Sequence, residues 1–482
     1  MKITQLLNTP VGILSRKNLI QNTGFQKQHN LSTPKSLLQK IAGVVLTPLD
    51  YLVLFSTFFL LFGAVFLVHE FQPYFEQIHL DRMNSAWGKS FIMVSLALLS
   101  FRLFYIMYIF ILHKKYKPVP SVSDDELPKC TVIVPAYNEG KLVWKTLKSL
   151  AESDYPEDHL QLICIDDGSK DDTWEWMKKA KEELGDRVSI YQQPKNMGKR
   201  HALYRGFNLA TGEVFITVDS DSIVKKNTLR NMVSPLVVNE KCGAVAGNVR
   251  VLNNKRAMIP KMLNVSFVFS FEFVRSAQSV LGSVLCTPGA LSAYRKEAVM
   301  NCLPDWINQT FMGQPSDIGE DRAMTNMILK QGYEVRFQSN AYVLTDTPEK
   351  YNSLYKMFIR WERSNVRENI MMSKYAFKNF RKGPKAGTRL LLVDQWIKVI
   401  TAYPFLLLML CLIIMQPLLF VCSTLMGILI FSSIPALFFA RRHSKSEAVW
   451  AYSYGIFHTF ALFWITPYAI ATASKKGWLT RG

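Results

Sequence analysis

Long apolar runs divide the chain into membrane and non-membrane parts. Residues 51–68, 399–440 and 448–474 contain no Asp, Glu, Lys or Arg, and residues 91–112 contain only Arg102. A helix needs about 20 predominantly apolar residues to cross a bilayer. The pattern therefore predicts an integral membrane protein with two spans before residue 115 and about three after residue 395.

The part between these runs has a different pattern, in which short β-branched runs alternate with amphipathic helical stretches. The runs are residues 131–136, 162–165, 188–191, 214–218 and 244–251. Such alternation is typical of a parallel sheet with helices on its faces. The middle of the chain is therefore predicted to be an α/β domain.

Polar clusters follow the first four predicted strands, at residues 137–140, 166–169, 196–200 and 219–221. Any one of them could be a turn or a helix cap. Because the ligand crevice of an open α/β sheet lies at the carboxyl ends of its strands, four clusters in register predict one binding site. The sequence lacks both GxGxxG after the first strand and GxxxxGK[ST], which argues against a dinucleotide or P-loop site.

Two carboxylates in the last cluster suggest a metal ion. Asp219 and Asp221 are two residues apart after an apolar run, and an extended chain would direct both to one side. Oxygen ligands of this kind favour Mg or Mn, although a solvated turn would have the same sequence. A divalent ion there would neutralise a diphosphate, to which Lys199 and Arg200 would add positive charge.

The charge distribution predicts the orientation in the membrane. Lys and Arg outnumber Asp and Glu by 57 to 37, a net charge of +20, and basic residues flank the predicted spans. The positive-inside rule then places both ends of the first hairpin, and the middle domain, in the cytosol of a plasma (inner) membrane protein. This placement and anionic lipid account for the charge without nucleic acid. Basic residues lie on both sides of run 448–474, and a third C-terminal span would place one of these two groups outside the cell. The sequence therefore predicts that this run is re-entrant or that one span is miscounted.

Ordered motifs along the middle domain make a family resemblance visible. They are Thr131–Glu139 (TVIVPAYNE), Ile165–Ser169 (IDDGS), Gly198–Arg200 (GKR), Asp219–Asp221 (DSD), Gly319–Arg322 (GEDR) and Arg360-Trp361. In this order they resemble the family 2 membrane glycosyltransferases, and they are most similar to hyaluronan synthases and nodulation-type chitooligosaccharide or chitin synthases. The resemblance implies a Rossmann-like GT-A domain inserted between transmembrane helices, and an inverting reaction that uses a UDP-sugar.

The resemblance also implies roles for individual residues. Nucleotide-sugar ligands are implied at Tyr137, Glu139, Asp166, Asp167, Lys199, Arg200, Asp219, Arg360 and Trp361. The metal site is implied at Asp219 and Asp221, the acceptor site at Gly289, Arg322 and Trp361, and the catalytic pair at Asp321 and Glu320. Asp321 would be the general base, which takes the proton of the acceptor hydroxyl as its oxygen attacks C1 of the donor. A local ion pair at a helix N-terminus would be the other explanation for Glu320 and Asp321.

Two departures from the family pattern leave the product open. Met357 stands where the family has Gln before Arg360-Trp361, and the acceptor loop has Cys286-Thr-Pro-Gly instead of Ser-Gly-Pro. The favoured function is polymerisation of UDP-GlcNAc, with or without UDP-GlcA, into an exported polysaccharide. The alternatives are a single sugar transfer to a lipid acceptor and an inactive membrane scaffold or transporter with a nucleotide-binding fold.

Charged positions near the membrane have two explanations each. Arg360, Arg363 and Arg367 recur along one helix face, with Arg363 and Arg367 expected to contact lipid headgroups. Arg102, within the second span, needs either a polymer channel or a partner in the helix bundle. Residues 259–282, with four phenylalanines, are expected to form a helix at the membrane surface or in the core.

These patterns predict six parts of the chain. They are a basic cytosolic segment (1–48), a transmembrane hairpin (49–115), a cytosolic GT-A domain (116–350), interfacial helices with the Arg-Trp motif (351–395), a C-terminal membrane region (396–474) and a short tail (475–482).

Overall fold

The computed structural model describes residues 46–475. The predictions for the first 45 residues and for residues 476–482 fall outside the described part. The helices are α1 Pro48–Glu70, α2 Gln72–Asn84, α3 Ala86–Lys115, α4 Lys141–Ala151, α5 Thr173–Leu184, α6 Lys199–Leu209, α7 Thr228–Val238, α8 Met258–Val268, α9 Ser276–Val280, α10 Lys296–Met300, α11 Leu303–Ile307, α12 Glu320–Lys330, α13 Tyr351–Ala376, α14 Ala386–Met415, α15 Pro417–Arg442, α16 Trp450–Ala461 and α17 Ile465–Ala471. The strands are β1 Cys130–Ala136, β2 Leu160–Asp166, β3 Val188–Gln192, β4 Val214–Thr217, β5 Ser222–Val224, β6 Cys242–Val251, β7 Ser292–Arg295, β8 Thr310–Phe311, β9 Gln314–Pro315 and β10 Glu334–Thr345.

Eight of these strands form one mixed sheet in the order β3-β2-β1-β4-β7-β6-β10-β5. The neighbours β3, β2, β1 and β4 pair in parallel, β7 is antiparallel to both β4 and β6, and β10 is parallel to β6. The five strands expected from the β-branched runs are all present. Their carboxyl ends at β1, β2, β3 and β4 lie at one edge, which confirms the α/β prediction and brings the polar clusters to the same edge.

Burial explains why these strands can be identified from their composition. All seven residues of β1 are buried, as are the last five of β2, because helices cover both faces of the sheet. Strands buried on both faces have nearly continuous apolar sequences. The core of the domain is therefore formed by β1, β2 and β4 with the helices packed against them.

Four helices of the described part are long and apolar enough to cross a membrane: α1, α3, α14 and α15. The first two coincide with the predicted hairpin, and run 399–440 is divided at Gln416 between the other two. The last run differs from a continuous span, since α16 and α17 have 12 and 7 residues and are separated at Leu462–Trp464. Neither reaches spanning length, so four spans would leave Arg441 and Lys475 on one side of a bilayer.

Ion pairs connect the membrane helices with each other and with the domain. The Lys261 ammonium of α8 pairs with the Asp50 carboxylate of α1, and both side chains are buried. Arg102 Nη1 of α3 lies 3.2 Å from Asp394 Oδ1 of α14, whose carboxylate also pairs with Lys398. Arg102 thus has a partner in the helix bundle, and it also lines a cavity of about 710 Å³ with residues of α14, α15 and α16. The partner expected in the helix bundle is therefore present, and the polymer channel stays a prediction.

The segment after α8 joins the domain to these helices. Phe269–Arg275 is a π-helix that continues α8 into α9. The rings of Phe269 and Phe273 stack at 4.8 Å, and both pack against Phe438 near the end of α15. The helix expected over residues 259–282 is therefore present, and π-helical turns of this kind frequently occur at functional sites.

Candidate active site

Side-chain hydrogen bonds tie together the loops at the carboxyl ends of β1 and β2. The Ser169 hydroxyl donates to Asp166 Oδ1 at 2.5 Å and accepts from the backbone N–H of Asn138. The Thr173 hydroxyl accepts from the N–H groups of both Glu139 and Gly140 at 2.8 Å. Asn138 and Gly140 have φ values near +50°, a conformation that favours Asn and Gly. The two loops therefore form one preorganised rim that carries Tyr137, Glu139 and Asp167.

The two adjacent carboxylates of the second cluster have separate partners. Asp166 is fully buried and also accepts from Gln192, so it holds the loop. Asp167 accepts from Gln193 Nε2 and from the N–H groups of Met197 and Gly198, at 2.6 to 2.9 Å. Burial raises the pKa of Asp167, although the three hydrogen bonds act in the opposite direction and lower it. Asp167 thereby joins the second and third clusters.

The backbone of the fourth polar cluster, residues 219–221, is not extended as the sequence predicts. Strand β4 ends at Thr217, and the Ser222 N–H donates to the Asp219 carbonyl oxygen, so residues 219–222 form a turn. The assumption of strand alternation at this point is therefore wrong. Asp221 accepts at 3.2 Å from the hydroxyls of Ser222 and Thr345, whereas Asp219 faces α6.

Lys199 lies between carboxylates from two separate elements. Its Nζ is 2.5 Å from Asp219 Oδ1 and 3.1 Å from Glu320 Oε1. Although burial by itself would lower the pKa of Lys199, the two carboxylates raise it, so the ammonium form is stabilised. A Cβ at Gly289 would lie 2.5 Å from this Nζ, so a larger residue at this position would require the Lys199 side chain to move. Lys199 thus brings β4, α12 and the acceptor loop together.

Asp321 lies beside this cluster at the start of α12. Its Oδ1 accepts from the N–H of Arg322 at 2.7 Å, and its Oδ2 accepts from the N–H of Gly289 at 3.1 Å. The Cys286 thiol also donates to Oδ2, at 3.7 Å. The carboxylate is therefore oriented by the acceptor loop, which the sequence analysis placed at the acceptor sugar.

The two neighbouring acids of α12 differ in their basicity. Burial and the adjacent Glu320 raise the pKa of Asp321. Burial would also raise the pKa of Glu320, but the Lys199 ammonium, with a contribution from Arg360, lowers it. Pairs of acids whose environments separate their pKa values have different roles in catalysis. Here the pKa of Asp321 is shifted up and that of Glu320 is shifted down, so Asp321 is the stronger base of the two.

Two arginines implied as ligands have protein partners in this structure. Arg200 is 3% exposed, stacks over the Trp306 ring at 5.0 Å and donates to the Trp306 carbonyl and to Gln309. Arg322 donates to Asn365 and Asn369 of α13 at 2.6 and 2.8 Å. Their roles as donor and acceptor ligands remain predictions.

Helix α13 places its arginines differently from the expectation. Trp361 is 39% exposed and packs against Phe267 and Phe358. Arg363 and Arg367, however, are 2% and 4% exposed and donate to Thr472 and Ser316. The prediction that they contact lipid headgroups is therefore wrong, because polar groups far away in sequence accept from them inside the protein.

Met357, the residue that replaces the family's Gln, is buried. It lies 8% exposed in an apolar cluster formed by α8, α13, α15, α16 and α17. The missing amide is thus replaced by a packing contact with the membrane-side helices.

Some site residues were not identified from the sequence. Thr173 and Gln193 hold the loops that follow β1, β2 and β3, but such residues are common in any turn. Arg275 lies near Cys286 on the π-helix. Arg275 lies four residues after Phe271 and eight after Phe267, and this helical spacing could have indicated that the three share one face.

Comparisons with known proteins show which family the sequence of this domain matches. The sequence profile described as Glycosyl transferase family 2 matches residues 131–303. An N-acetylglucosaminyltransferase of Rhizobium meliloti is 31% identical over 251 residues, which are 52% of this chain and 58% of that protein. A hyaluronan synthase of Streptococcus pyogenes is 29% identical over 380 residues, which are 76% of this chain and 86% of that protein.

A solved structure shows the fold. The mannosyltransferase PcManGT from Pyrobaculum calidifontis, in complex with GDP-Man and Mn2+, aligns with a TM-score of 0.54 and 21% identity over 77% of this chain and 97% of that one. This likeness confirms the GT-A fold, and the sequence relatives confirm the resemblance to hyaluronan synthases and nodulation-type enzymes.

Proposed function

Since residues 131–303 are a family 2 glycosyl transferase domain, we propose that the chain is an inverting membrane β-glycosyltransferase that polymerises UDP-GlcNAc, with or without UDP-GlcA, into an exported polysaccharide. The observation that carries the proposal is the setting of Asp321. This carboxylate has a raised pKa, is oriented by the acceptor loop and lies next to the Lys199 cluster. The hyaluronan synthase and N-acetylglucosaminyltransferase relatives support polymer synthesis.

The proposed chemistry uses Asp321 as the general base. The acceptor hydroxyl gives its proton to Asp321 while its oxygen forms a bond to C1 of the sugar, and the bond from C1 to the UDP oxygen breaks. One displacement inverts C1, so an α-linked UDP-sugar gives a β-linkage. The N–H groups of Gly289 and Arg322 hold the carboxylate in one orientation, which reduces the ordering required at the transition state.

The donor would occupy the edge of the sheet between the β1 and β4 loops. Tyr137, Glu139 and Asp167 would contact the uridine, the buried Asp166 would support it only through the loop that it holds, and Lys199 with Arg360 would face the diphosphate. Arg360 acts on Glu320 electrostatically, which places a second cation near Lys199. Two cations near a leaving diphosphate stabilise its developing charge.

Asp219 and Asp221 are the residues proposed to hold Mg or Mn. Among residues 46–475 no group of three or more His, Cys, Asp or Glu side chains could hold a metal ion. The two carboxylates nevertheless fit a hard cation, because their oxygens are anionic and Lys199 engages only one oxygen of Asp219. A bound cation would supply charge stabilisation for the departing UDP.

Replacing Asp221 with alanine tests this assignment. We expect the variant to lose the dependence of UDP binding on Mn, because half of the proposed ligand pair is removed. The measurement is the UDP dissociation constant across a Mn titration. Asp186→Ala, an exposed change, is the control. An unchanged Mn titration in the Asp221 variant would remove this residue from the site.

The membrane region supports export by the same chain. The cavity beside Arg102 is lined by α14, α15, α16 and the segment of Ser266 and Phe269, and this segment continues into the π-helix beside the acceptor loop. With four spans and basic residues at their domain-side ends, the positive-inside rule places the catalytic domain in the cytosol of a plasma (inner) membrane.

UDP release by the purified full-length protein tests the function. The assay offers UDP-GlcNAc alone, UDP-GlcA alone and both together with Mn or Mg, and then measures product length. Release only with both sugars and a long hyaluronidase-sensitive product would indicate a hyaluronan-like polymer. Release with UDP-GlcNAc alone would indicate a chitin-like one.

The remaining outcomes of this assay separate the alternatives. A product with one added sugar on lipid would establish the single-transfer alternative. Absence of release with any of these donors would contradict the proposal.

A further inference from the structure

One face of α8 and the π-helix carries a row of side chains from Trp361 towards the active site. Phe267, Phe271 and Arg275 follow each other at intervals of four residues. The ring centroid of Phe267 lies 6.3 Å from Trp361 and 5.9 Å from Phe271, and the Arg275 guanidinium carbon lies 3.7 Å from the Phe271 centroid. Arg275 thus lies at the end of an aromatic row that begins at the proposed acceptor-stacking residue.

The far end of this row reaches the loop that orients the proposed base. Arg275 Nε donates to the Cys286 carbonyl oxygen at 3.5 Å. The thiol of the same cysteine donates to Asp321, and Gly289 N–H donates to the same carboxylate oxygen. The guanidinium is therefore adjacent to the acceptor loop, whose Cys286 and Gly289 both contact Asp321.

Among residues 46–475, Arg275 has no carboxylate at ion-pair distance, although Asp321 stabilises its charge from farther away. Both of its hydrogen bonds, to Cys286 and to Ser270 Oγ at 3.4 Å, are long and end on uncharged oxygens. None of the ion pairs between residues 46 and 475 includes Arg275. Lys199, by contrast, is paired with two acids. A half-buried guanidinium with spare N–H donors is suited to bind a carboxylate.

We propose that Arg275 binds the carboxylate of a uronic acid residue at the growing end of the acceptor chain. The inference rests on the proposed polymerase function and extends it, since GlcNAc has no group that requires this cation. It favours a polymer that alternates GlcNAc with a uronic acid over a GlcNAc homopolymer. A uronic acid on the donor would present the same chemical group, and the experiment separates the two sources.

Binding of labelled oligosaccharides to the full-length protein in detergent tests the proposal. The probes are an oligosaccharide with a non-reducing β-glucuronic acid, its methyl ester and an oligosaccharide with a non-reducing GlcNAc. We expect wild type to bind the free acid ~10-fold or more tightly than its ester, because esterification removes a charge-assisted contact. Arg275→Gln should abolish this preference, and Arg275→Lys should keep part of it. Arg256→Gln, at a side chain 65% exposed, is the control and should behave as wild type.

Each remaining outcome has a defined meaning. Equal affinity of wild type for the acid and its ester would overturn the proposal, even if Arg275→Gln fails to fold. A preference that persists in Arg275→Gln would do the same. If Arg275→Gln weakens binding of UDP-GlcA and leaves oligosaccharide binding unchanged, the acceptor assignment is wrong. UDP affinity of the same samples tests the proposed function separately, because it does not depend on Arg275.

Discussion

Asp321→Asn should reduce turnover by ~100-fold or more and leave UDP binding nearly unchanged. The amide keeps the size of the side chain but cannot accept the acceptor proton. Because Asp321 contacts the acceptor loop and not the loops of the proposed uridine site, the variant should retain the donor site. The measurement pairs the rate of UDP release with the UDP dissociation constant.

The choice between the two neighbouring acids needs its own comparison. Lys199 lowers the pKa of Glu320, so this residue is a weaker base than Asp321. Glu320→Gln should therefore disturb donor binding together with the rate, whereas Asp321→Asn should affect the rate alone. Asp305→Asn, an exposed change on α11, is the matched control and should be silent. A fully active Asp321→Asn enzyme would disprove the assignment.

The second large effect is expected for Lys199→Met. The change leaves Asp219 and Glu320 without their shared cation, and breaking a buried pair of this kind costs about 3–5 kcal/mol. We expect a loss of turnover of ~100-fold or more at neutral pH and a lower melting temperature in detergent. Lys195→Met, at an exposed position of the same loop, should change neither.

The pH dependence of the residual activity gives a second readout for Lys199. Its ammonium lowers the pKa of both Glu320 and Asp321, so its removal raises both values. A base with a raised pKa is protonated up to a higher pH, and the acid limb of the rate profile should therefore move to higher pH. A variant whose acid limb stays in place would show that Lys199 does not tune the proposed base.

Local sequence properties predicted much of the fold. Strands β1, β2, β4 and β6 were identifiable because a strand covered on both faces must be largely apolar, whereas the edge strand β3 is only partly buried. The membrane helices were identifiable because a bilayer imposes length and composition. The polar clusters could be placed together, since carboxyl ends of parallel strands share an edge.

The predictions failed where a side chain chooses among partners far apart in sequence. Arg363 and Arg367 were expected at lipid headgroups, yet they donate to Thr472 and Ser316, which are 109 and 51 residues away. The helical pattern shows which residues share a face, but it does not show what covers that face. The partner of a long arginine side chain can be identified only when the segment that packs over its helix face is known.

By itself, the sequence determined the class of fold, the membrane anchorage and the order of the motifs along the chain, because these depend on local patterns of polarity. The tertiary structure alone decided three features: the turn that separates Asp219 from Asp221, the break between α16 and α17, and the contact of Arg275 with the acceptor loop. Each depends on packing between distant segments, where hydrogen bonds and buried charges must be satisfied together.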